Sequence, residues 1–553
     1  MADILREARS IQNRTSPVGK LPSELLSVVF RMIQDDLLIE MDIPRDLNED
    51  SVRYFQWTRV IRVCRRWRTV AISSAVLWNT IMIPRRPATP SLDARTHIRR
   101  SAECPLTVFM NVTAAPSEVF KALTQMHRIR ELIIEVDCHR PSKMSLSLPL
   151  IWCRPAPQLR VLTFVTPKTS LLKNRELPKL FSGQLDYLPS LCLTRISGSS
   201  QYNYSSLRHL HLHNLICVLR RSVQSLFDLL AATPVLEDLM FTLFNGEPDG
   251  EPFLQENRPS VELPRLRRLA FMQGARGVEA LLSHLHIPAG VSMSFSLVAP
   301  LSTWANVDIV PRNLTRMESL RDLHDFEFRF SADSVITVRA VGDASAFFAQ
   351  WRCPWFRGVG PEFWAAPWIA SLARRLWLYL PSSQSYGQRA RRRKFLQLLG
   401  ATASNVRTLF VTGDKESMVA DVEAMLGNLE VGVSMKNLDE LHLARHMSDD
   451  YGTLQLALSP RKGIRRMTLY EAAPCEGVWE GHNPADTRNP AWLRRSVPVV
   501  SVVTGSITDM EWVDICSSPS DAPWDWPVWT KDGGCSIEYD SDIDIDSEME
   551  WTP

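Results

Sequence analysis

The chain has 553 residues, with 63 Lys and Arg residues against 61 Asp and Glu residues and a formal net charge of +2. Hydrophobic residues make up 45% and charged residues 22%, so there is enough apolar material for a large core and global disorder is excluded. The near-neutral balance provides no whole-chain attraction to nucleic acid or to a membrane, so neither is an expected partner. The 10 cysteines contain no CxxC pair. We therefore expect no metal or other cofactor, and a cytoplasmic and/or nuclear location.

Residues 21–33 carry the first informative pattern. Apolar side chains recur at positions 21, 25, 28, 29, 32 and 33, which is the spacing of a helix face. Pro22 suits the first turn of such a helix, where a missing backbone N–H group costs little. A second helical pattern covers 60–71, and a third apolar piece covers 75–78. The sequence thus predicts three short helices before Pro84.

These helical segments resemble an F-box, the adaptor-binding module of cullin–RING ubiquitin ligases. The motifs that carry the resemblance are Leu21-Pro22-x-Glu24-Leu25-Leu26, Val63-Cys64-x-x-Trp67-x-x-Val70-Ala71 and Leu77-Trp78. The alternative is a generic three-helix start whose apolar residues are all core. The resemblance implies eight residues that contribute to the F-box core or to a Skp-type adaptor interface, two roles that the sequence does not separate: Leu21, Pro22, Leu25, Leu26, Ile33, Val63, Trp67 and Trp78.

Eight segments further along the chain share the pattern φ-x-x-φ-x-φ, where φ is apolar. They begin at Ile129, Leu159, Leu207, Leu236, Leu266, Val406, Leu438 and Ile464. Helical patterns lie between several of them, and most are separated by 26–32 residues. Repetition of strand, turn and helix resembles a divergent leucine-rich repeat, whose units stack into a curved solenoid.

The predicted fold class is an α/β repeat: an N-terminal three-helix F-box, then a leucine-rich-repeat-like solenoid, then an acidic flexible C-terminal tail. Residues 1–18 form an amino-terminal segment and residues 19–84 the F-box helical module. The solenoid covers 85–475, with a possible insertion around 290–390, where the repeat pattern lacks a clear register. Residues 476–553 comprise a poorly defined region and the acidic tail.

The x positions of the repeats predict a strand face suited to an extended partner. The candidate residues of this substrate face are Arg208, His209, His211, Glu237, Arg267 and Asp439. Alternation along one strand places His209, His211 and His213 on the same side. An exposed strand face is the simpler interpretation of these histidines, and a metal-binding or pH-sensing patch is the alternative.

An alternating acidic run occupies residues 538–550. Its segment Asp540-x-Asp542-x-Asp544-x-Asp546 at first resembles a calcium-binding loop. Such a loop requires glycine at its sixth position and glutamate at its twelfth, where this chain has Ile545 and Trp551. We interpret the run as a solvated tail.

The F-box resemblance implies a substrate-recognition subunit of an SCF-type ubiquitin ligase, which is not itself an enzyme. The F-box would bind a Skp-type adaptor and, through it, a cullin–RING ligase, while the repeat region would bind an unidentified substrate protein. The alternative is a leucine-rich-repeat scaffold or interaction protein without a ubiquitin-ligase role. The chain contains no GxxxxGK[ST], HExxH or GxSxG motif, and its 23 glycines are few for an enzyme built on phosphate-binding loops.

Overall fold

The structure is a computed structural model that describes part of the chain. The described residues are 15–39, 47–84, 94–111, 116–135, 154–165, 175–176, 181, 187–194, 196–197, 204–213, 216–217, 220–242, 245–246, 260–272, 278–297, 317–330, 335–352, 372–380, 393, 396–397, 399–401, 403–413, 418–426, 435–445, 464–471 and 499–504.

The amino-terminal region combines α-helices with 3-10 segments. The helices are α1 (Ser23–Ile39), α2 (Leu47–Tyr54) and α3 (Arg65–Ser73), and the 3-10 segments are Val18–Lys20, Phe55–Arg62 and Ala75–Trp78. The helix predicted over 60–71 is divided, because Cys64 is extended and ends the 3-10 segment before α3 begins. The Cys64 Sγ atom accepts the backbone N–H of Trp67 at 3.4 Å, which caps α3.

One sheet extends through the rest of the described chain and contains 17 strands. The strands are β1 (Thr80–Ile83), β2 (Leu106–Asn111), β3 (Ile129–Glu135), β4 (Val161–Val165), β5 (Ser190–Thr194), β6 (His209–His213), β7 (Asp238–Thr242), β8 (Arg268–Met272), β9 (Ser292–Leu297), β10 (Leu323–Phe330), β11 (Val335–Gly342), β12 (Ala346–Arg352), β13 (Arg375–Leu380), β14 (Thr408–Gly413), β15 (Glu440–Arg445), β16 (Arg466–Glu471) and β17 (Val499–Thr504). Three separate two-residue pairings lie outside this sheet.

The strand order follows the chain except at one place. Strands β1 to β9 pair in parallel with their chain neighbours, and so do β13 to β17. Between these groups, β9 pairs with β12, β12 and β10 both pair antiparallel with β11, and β10 pairs with β13. The three strands β10 to β12 are therefore inserted in reverse order, within the region where the sequence predicts an insertion.

Further short α-helices lie between some of the strands. They are α4 (Ala94–Arg100), α5 (Pro116–Leu123), α6 (Arg220–Ala231), α7 (Val278–Ser283) and α8 (Met418–Leu426). Two further 3-10 segments are Met126–Arg128 and Glu318–Leu320. Among the helices of the described ranges, none is long and apolar enough to cross a lipid bilayer.

The main hydrophobic core lies on one face of the sheet. Parallel in-register pairing places like residues side by side, so that Leu239 stands between Leu210 and Leu269. The phenylalanine rings of Phe241 and Phe271 stack with centroids 4.8 Å apart, and the ring of Phe295 follows at 5.5 Å. Apolar side chains of α5 to α8 belong to the same core.

A second hydrophobic cluster joins the amino-terminal helices to the first strands. It combines Phe30, Trp57 and Trp78 with Met82 of β1 and Phe109 of β2. The helical region therefore packs directly on the sheet and shares a core with it.

The predicted fold class is wrong. The chain has a mixed α/β fold with one large, mostly parallel sheet and few helices, in place of a three-helix module followed by a solenoid of strand–turn–helix units. The amino-terminal helices share a core with the sheet, and the antiparallel strands β10 to β12 interrupt the parallel order. Each of the eight φ-x-x-φ-x-φ segments overlaps a strand, so the local prediction of strands is confirmed. The predicted acidic tail lies outside the described residues.

Candidate protein-binding surfaces

Helix α1 presents an apolar face to solvent. Its buried side carries Leu26, Phe30 and Gln34 at four-residue intervals, each with no exposed surface. The adjoining side carries five apolar side chains that are 36% to 61% exposed: Leu25, Val28, Val29, Met32 and Ile33. Their spacing places them on a single face of the helix. An apolar face of this kind usually marks a surface that binds a partner.

Neighbouring segments extend this face. The hydroxyl oxygens of Ser27 and Ser74 are 2.6 Å apart, and Arg31 Nη1 donates to the Val76 carbonyl at 3.3 Å. These contacts hold the exposed Ile72 and Val76 next to α1. We name the exposed side chains of α1 together with Ile72 and Val76 the amino-terminal apolar face.

Buried polar contacts fix the helices beneath the face. The indole N–H of Trp78 donates to the Ala71 carbonyl at 2.7 Å, and the Trp78 ring meets that of Trp57 edge-on at 5.1 Å. The Gln34 amide donates to the Leu77 carbonyl at 3.0 Å. Arg66 donates to the carbonyl oxygens of Gly19 and Leu21, which ties the segment before α1 to α3.

The structure divides the eight residues that the sequence singled out in this region. Leu26 and Trp78 are fully buried, so they are core residues. Leu25, Ile33 and Val63 are exposed, as is Pro22, while Leu21 and Trp67 are half-buried against the core. The burial of each side chain thus shows which of the eight residues belong to the core and which are available to a partner. The sequence does not separate them, because apolar residues of one helix can face either the core or the solvent.

A cleft of about 520 Å³ lies between α1 and the starts of β1 to β3. Its lining includes Arg31, Asp35 and Asn79 on one side and Arg130 and Glu131 on the other. Arg31 Nε lies 2.9 Å from Asp35 Oδ1, so these two charges pair across one turn of helix. No sequence pattern predicted this cleft, because its lining comes from segments that are far apart in the chain.

The predicted substrate face is only partly accessible. The side chains of Arg208 and Arg267 are exposed, and those of Glu237 and Asp439 are 24% and 44% exposed. His209 and His211 are instead 2% and 1% exposed, so the interpretation as an exposed histidine strand is wrong for these two. Both faces of the sheet are covered at this point, and strand alternation predicts which residues share a face without predicting whether that face is open.

His209 belongs to a buried polar chain across three strands. Its Nδ1 atom lies 2.5 Å from Asp238 Oδ2, and Arg268 donates to the other oxygen of the same carboxylate. Burial raises the pKa of Asp238, but the hydrogen bonds from His209 and Arg268 outweigh it and leave the pKa below its usual value. The carboxylate is therefore charged at neutral pH and holds its two partners in place.

His211 occupies a less polar site on the same strand. Its Nε2 atom lies 2.8 Å from the Thr242 hydroxyl, and its Nδ1 atom lies 3.5 Å from Cys192 Sγ. Burial, together with the neighbouring His213, lowers the pKa of His211 to about 3. The imidazole is neutral at physiological pH. No group of three or more His, Cys, Asp or Glu residues is arranged to hold a metal ion within the described part of the chain.

An aromatic row crosses strands β13 to β16 on the sheet face opposite the main core. The rings of Trp377 and Phe410 stack at 4.5 Å, those of Phe410 and His442 stack at 4.3 Å, and Tyr470 follows at 6.0 Å. Phe410, His442 and Tyr470 are half-buried, and Arg375 lies 5.6 Å from the Trp377 ring centroid. No motif of the sequence predicted this row, although Trp377, Phe410 and His442 occupy equivalent positions of neighbouring strands and were a usable signal.

No protein-family model and no curated protein sequence matches this chain.

Proposed function

We propose that the amino-terminal apolar face binds a Skp-type adaptor and that the chain acts as the substrate-recognition subunit of an SCF-type cullin–RING ubiquitin ligase. The observation that supports this proposal most is the exposed apolar side of α1, because it includes Leu25 and Ile33, two residues of the F-box resemblance. Burying exposed apolar side chains against a partner is favourable by roughly 25 cal/mol per Å².

In this proposal the chain supplies binding, and a partner enzyme supplies the chemistry. The adaptor would link the amino-terminal apolar face to the ligase, in the cytoplasm or the nucleus. The sheet would hold a substrate protein, with Arg208, Arg267 and Asp439 as accessible contacts. Holding two reactants together raises their effective concentration and so accelerates transfer without a catalytic residue in this chain.

The test is co-purification of the full chain with a Skp-type adaptor. Replacing Val28→Asp and Met32→Asp places two charges on the apolar face without touching the core, since both side chains are more than half exposed. We expect adaptor affinity to fall at least 100-fold, with the free energy of unfolding changed by less than about 0.5 kcal/mol.

The matched control is Phe120→Asp, which adds a charge at an apolar side chain that is 45% exposed on α5, outside the amino-terminal region. This variant should retain full adaptor binding. Adaptor binding by the double variant at wild-type affinity would reject the apolar face as the interface. A wild-type chain that is soluble alone and binds no adaptor would instead favour an interaction protein without a ligase role.

A further inference from the structure

Seven exposed arginines lie at the amino-terminal ends of parallel strands, on the side of the large sheet where these strands begin. They are Arg130, Arg160, Arg208, Arg267, Arg374, Arg407 and Arg465, named here the arginine row. The equivalent positions of β5, β7 and β15 are Pro189, Glu237 and Asp439. The row therefore carries seven positive charges and two negative ones.

Backbone hydrogen bonds hold the row in register. The N–H of Arg407 donates to the Arg374 carbonyl at 2.8 Å, that of Asp439 to the Arg407 carbonyl at 2.9 Å, and that of Arg465 to the Asp439 carbonyl at 2.8 Å. The same bond joins Arg160 to Arg130 at 2.7 Å. Within each group of parallel strands, neighbouring positions are thus one strand spacing apart, about 4.8 Å. Strands β9 to β12 lie between Arg267 and Arg374, so the row has two parts, and Arg374, Arg407 and Arg465 form the second.

Most of this positive charge is not neutralised by the described residues. Arg208 lies 3.7 Å from Glu237, and Arg465 lies 3.7 Å from Asp439. The other five arginines of the row have no acidic partner within the described ranges. Closely spaced and exposed like charges repel one another, and an arginine row of this kind attracts an extended anionic segment.

The chain contains such a segment in residues 538–550. Acidic side chains occupy every second position, and they are Glu538, Asp540, Asp542, Asp544, Asp546, Glu548 and Glu550. An extended conformation places alternate side chains on one side, about 6.6 Å apart. One edge of the segment would then present seven carboxylates, and the flexible arginine side chains can pair with carboxylates at this spacing.

We propose that the acidic segment 538–550 binds the arginine row of its own chain, with the site centred on Arg374, Arg407 and Arg465. The last described strand, β17, pairs with β16, and the N–H of Val499 donates to the Arg465 carbonyl at 3.2 Å. The 33 residues between Thr504 and Glu538 can span up to about 110 Å, so the arginines are within reach. Tethering gives the segment an effective concentration in the millimolar range, an advantage over acidic segments of other proteins.

Occupation of the row by this segment regulates access to the surface. A foreign acidic partner must displace the segment before it can bind the arginines. The interaction is electrostatic and exposed, so it weakens as salt shortens the screening length from about 10 Å at 0.1 M to about 3 Å at 1 M. This inference does not depend on adaptor binding at the amino-terminal apolar face.

The test uses the full chain and a fluorescein-labelled peptide of residues 538–550 as the probe. The neutral-segment variant carries Glu538→Gln, Asp540→Asn, Asp542→Asn, Asp544→Asn, Asp546→Asn, Glu548→Gln and Glu550→Gln. We expect this variant to bind the peptide at least tenfold more tightly than the wild-type chain, in which the native segment competes. Binding should fall steadily between 50 and 500 mM NaCl, as measured by fluorescence anisotropy.

Two further variants of the neutral-segment chain locate the site. Adding Arg374→Gln, Arg407→Gln and Arg465→Gln should abolish peptide binding. The matched control adds Arg59→Gln, Arg62→Gln and Arg65→Gln, which removes the same charge from exposed arginines outside the row and should preserve binding. Circular dichroism reports whether both variants retain the native fold.

Three results would overturn the proposal. Equal affinity of the wild-type and neutral-segment chains for the peptide would show that the row is open and that the native segment does not occupy it. Equal loss of binding in both arginine variants would show general charge attraction without a site. Undiminished binding in the Arg374, Arg407 and Arg465 variant would place the site elsewhere.

Discussion

His209 and Asp238 form a buried pair between neighbouring parallel strands, with Nδ1 and Oδ2 2.5 Å apart and the residues 2% and 4% exposed. The pair occupies equivalent positions of β6 and β7, so the strand register alone brings it together. Arg268 of β8 completes it from the other side. Glu237, immediately before Asp238, forms an ion pair with Arg208 that is open to solvent.

This contrast predicts very different costs for two neighbouring substitutions. Asp238→Ala leaves His209 and Arg268 without their shared acceptor, and we expect the free energy of unfolding to fall by about 3 kcal/mol. Glu237→Ala removes only a half-exposed contact 3.7 Å from Arg208 and should cost about 0–1 kcal/mol. Urea unfolding of both variants measures the difference, and equal costs would contradict the structural role given to Asp238.

His211 predicts a pH dependence of stability. Its pKa is about 3 in the folded chain, below the value of about 6.5 for an unfolded one, so the folded state binds fewer protons. The contribution of the neutral His211 side chain to the free energy of unfolding is complete above pH 6.5 and is lost as the pH falls towards 3. Linkage gives a loss of roughly 2 kcal/mol in the free energy of unfolding between pH 7.5 and pH 5.

The measurement compares urea unfolding at the two pH values for wild type and His211→Gln. His211→Gln should lose most of the roughly 2 kcal/mol change in the free energy of unfolding between the two pH values. His127→Gln, which replaces an exposed histidine, should retain this change. A wild-type pH slope that persists in His211→Gln would assign the dependence to other groups.

The phenylalanine stack of the core predicts a large packing loss. Phe271 is fully buried between Phe241 and Phe295, so Phe271→Ala leaves a cavity and should lower the free energy of unfolding by about 3–5 kcal/mol. Phe120→Ala removes the same side chain at an exposed position near Arg154 and should cost less than about 1 kcal/mol. Thermal or urea unfolding distinguishes the two, and a small loss at Phe271 would reject the stacked core.

Gly290 predicts a backbone effect that is independent of packing. Its φ of +80° lies in the left-handed region, and an added Cβ would be 3.6 Å from the Ala344 carbonyl oxygen, an ordinary contact distance. Gly290→Ala should therefore cost about 1 kcal/mol through backbone strain alone. Gly290→Asn should cost less, because asparagine tolerates this conformation better than alanine does. The opposite ranking in urea unfolding would indicate that space, and not φ, limits the position.

The strands were predictable from sequence because parallel buried strands repeat the same apolar spacing. Leu210, Leu239 and Leu269 occupy the same position of their motifs, and the structure places them side by side. The fold class was not predictable, since the pattern does not specify how the strands connect. The reversal of β10 to β12 depends on antiparallel pairing between segments such as 323–330 and 335–342, which have no repeat signature.

The candidate surfaces also combine features that the sequence predicts with features that only the tertiary structure decides. The sequence by itself determined that apolar residues of 21–33 follow a helical period and that the φ-x-x-φ-x-φ segments form strands, because both are local patterns. Only the tertiary structure decided that Leu26 faces the core while Leu25 faces solvent, and that His209 and His211 are covered. Burial and charge neutralisation depend on what packs against each side chain, and those neighbours come from distant parts of the chain.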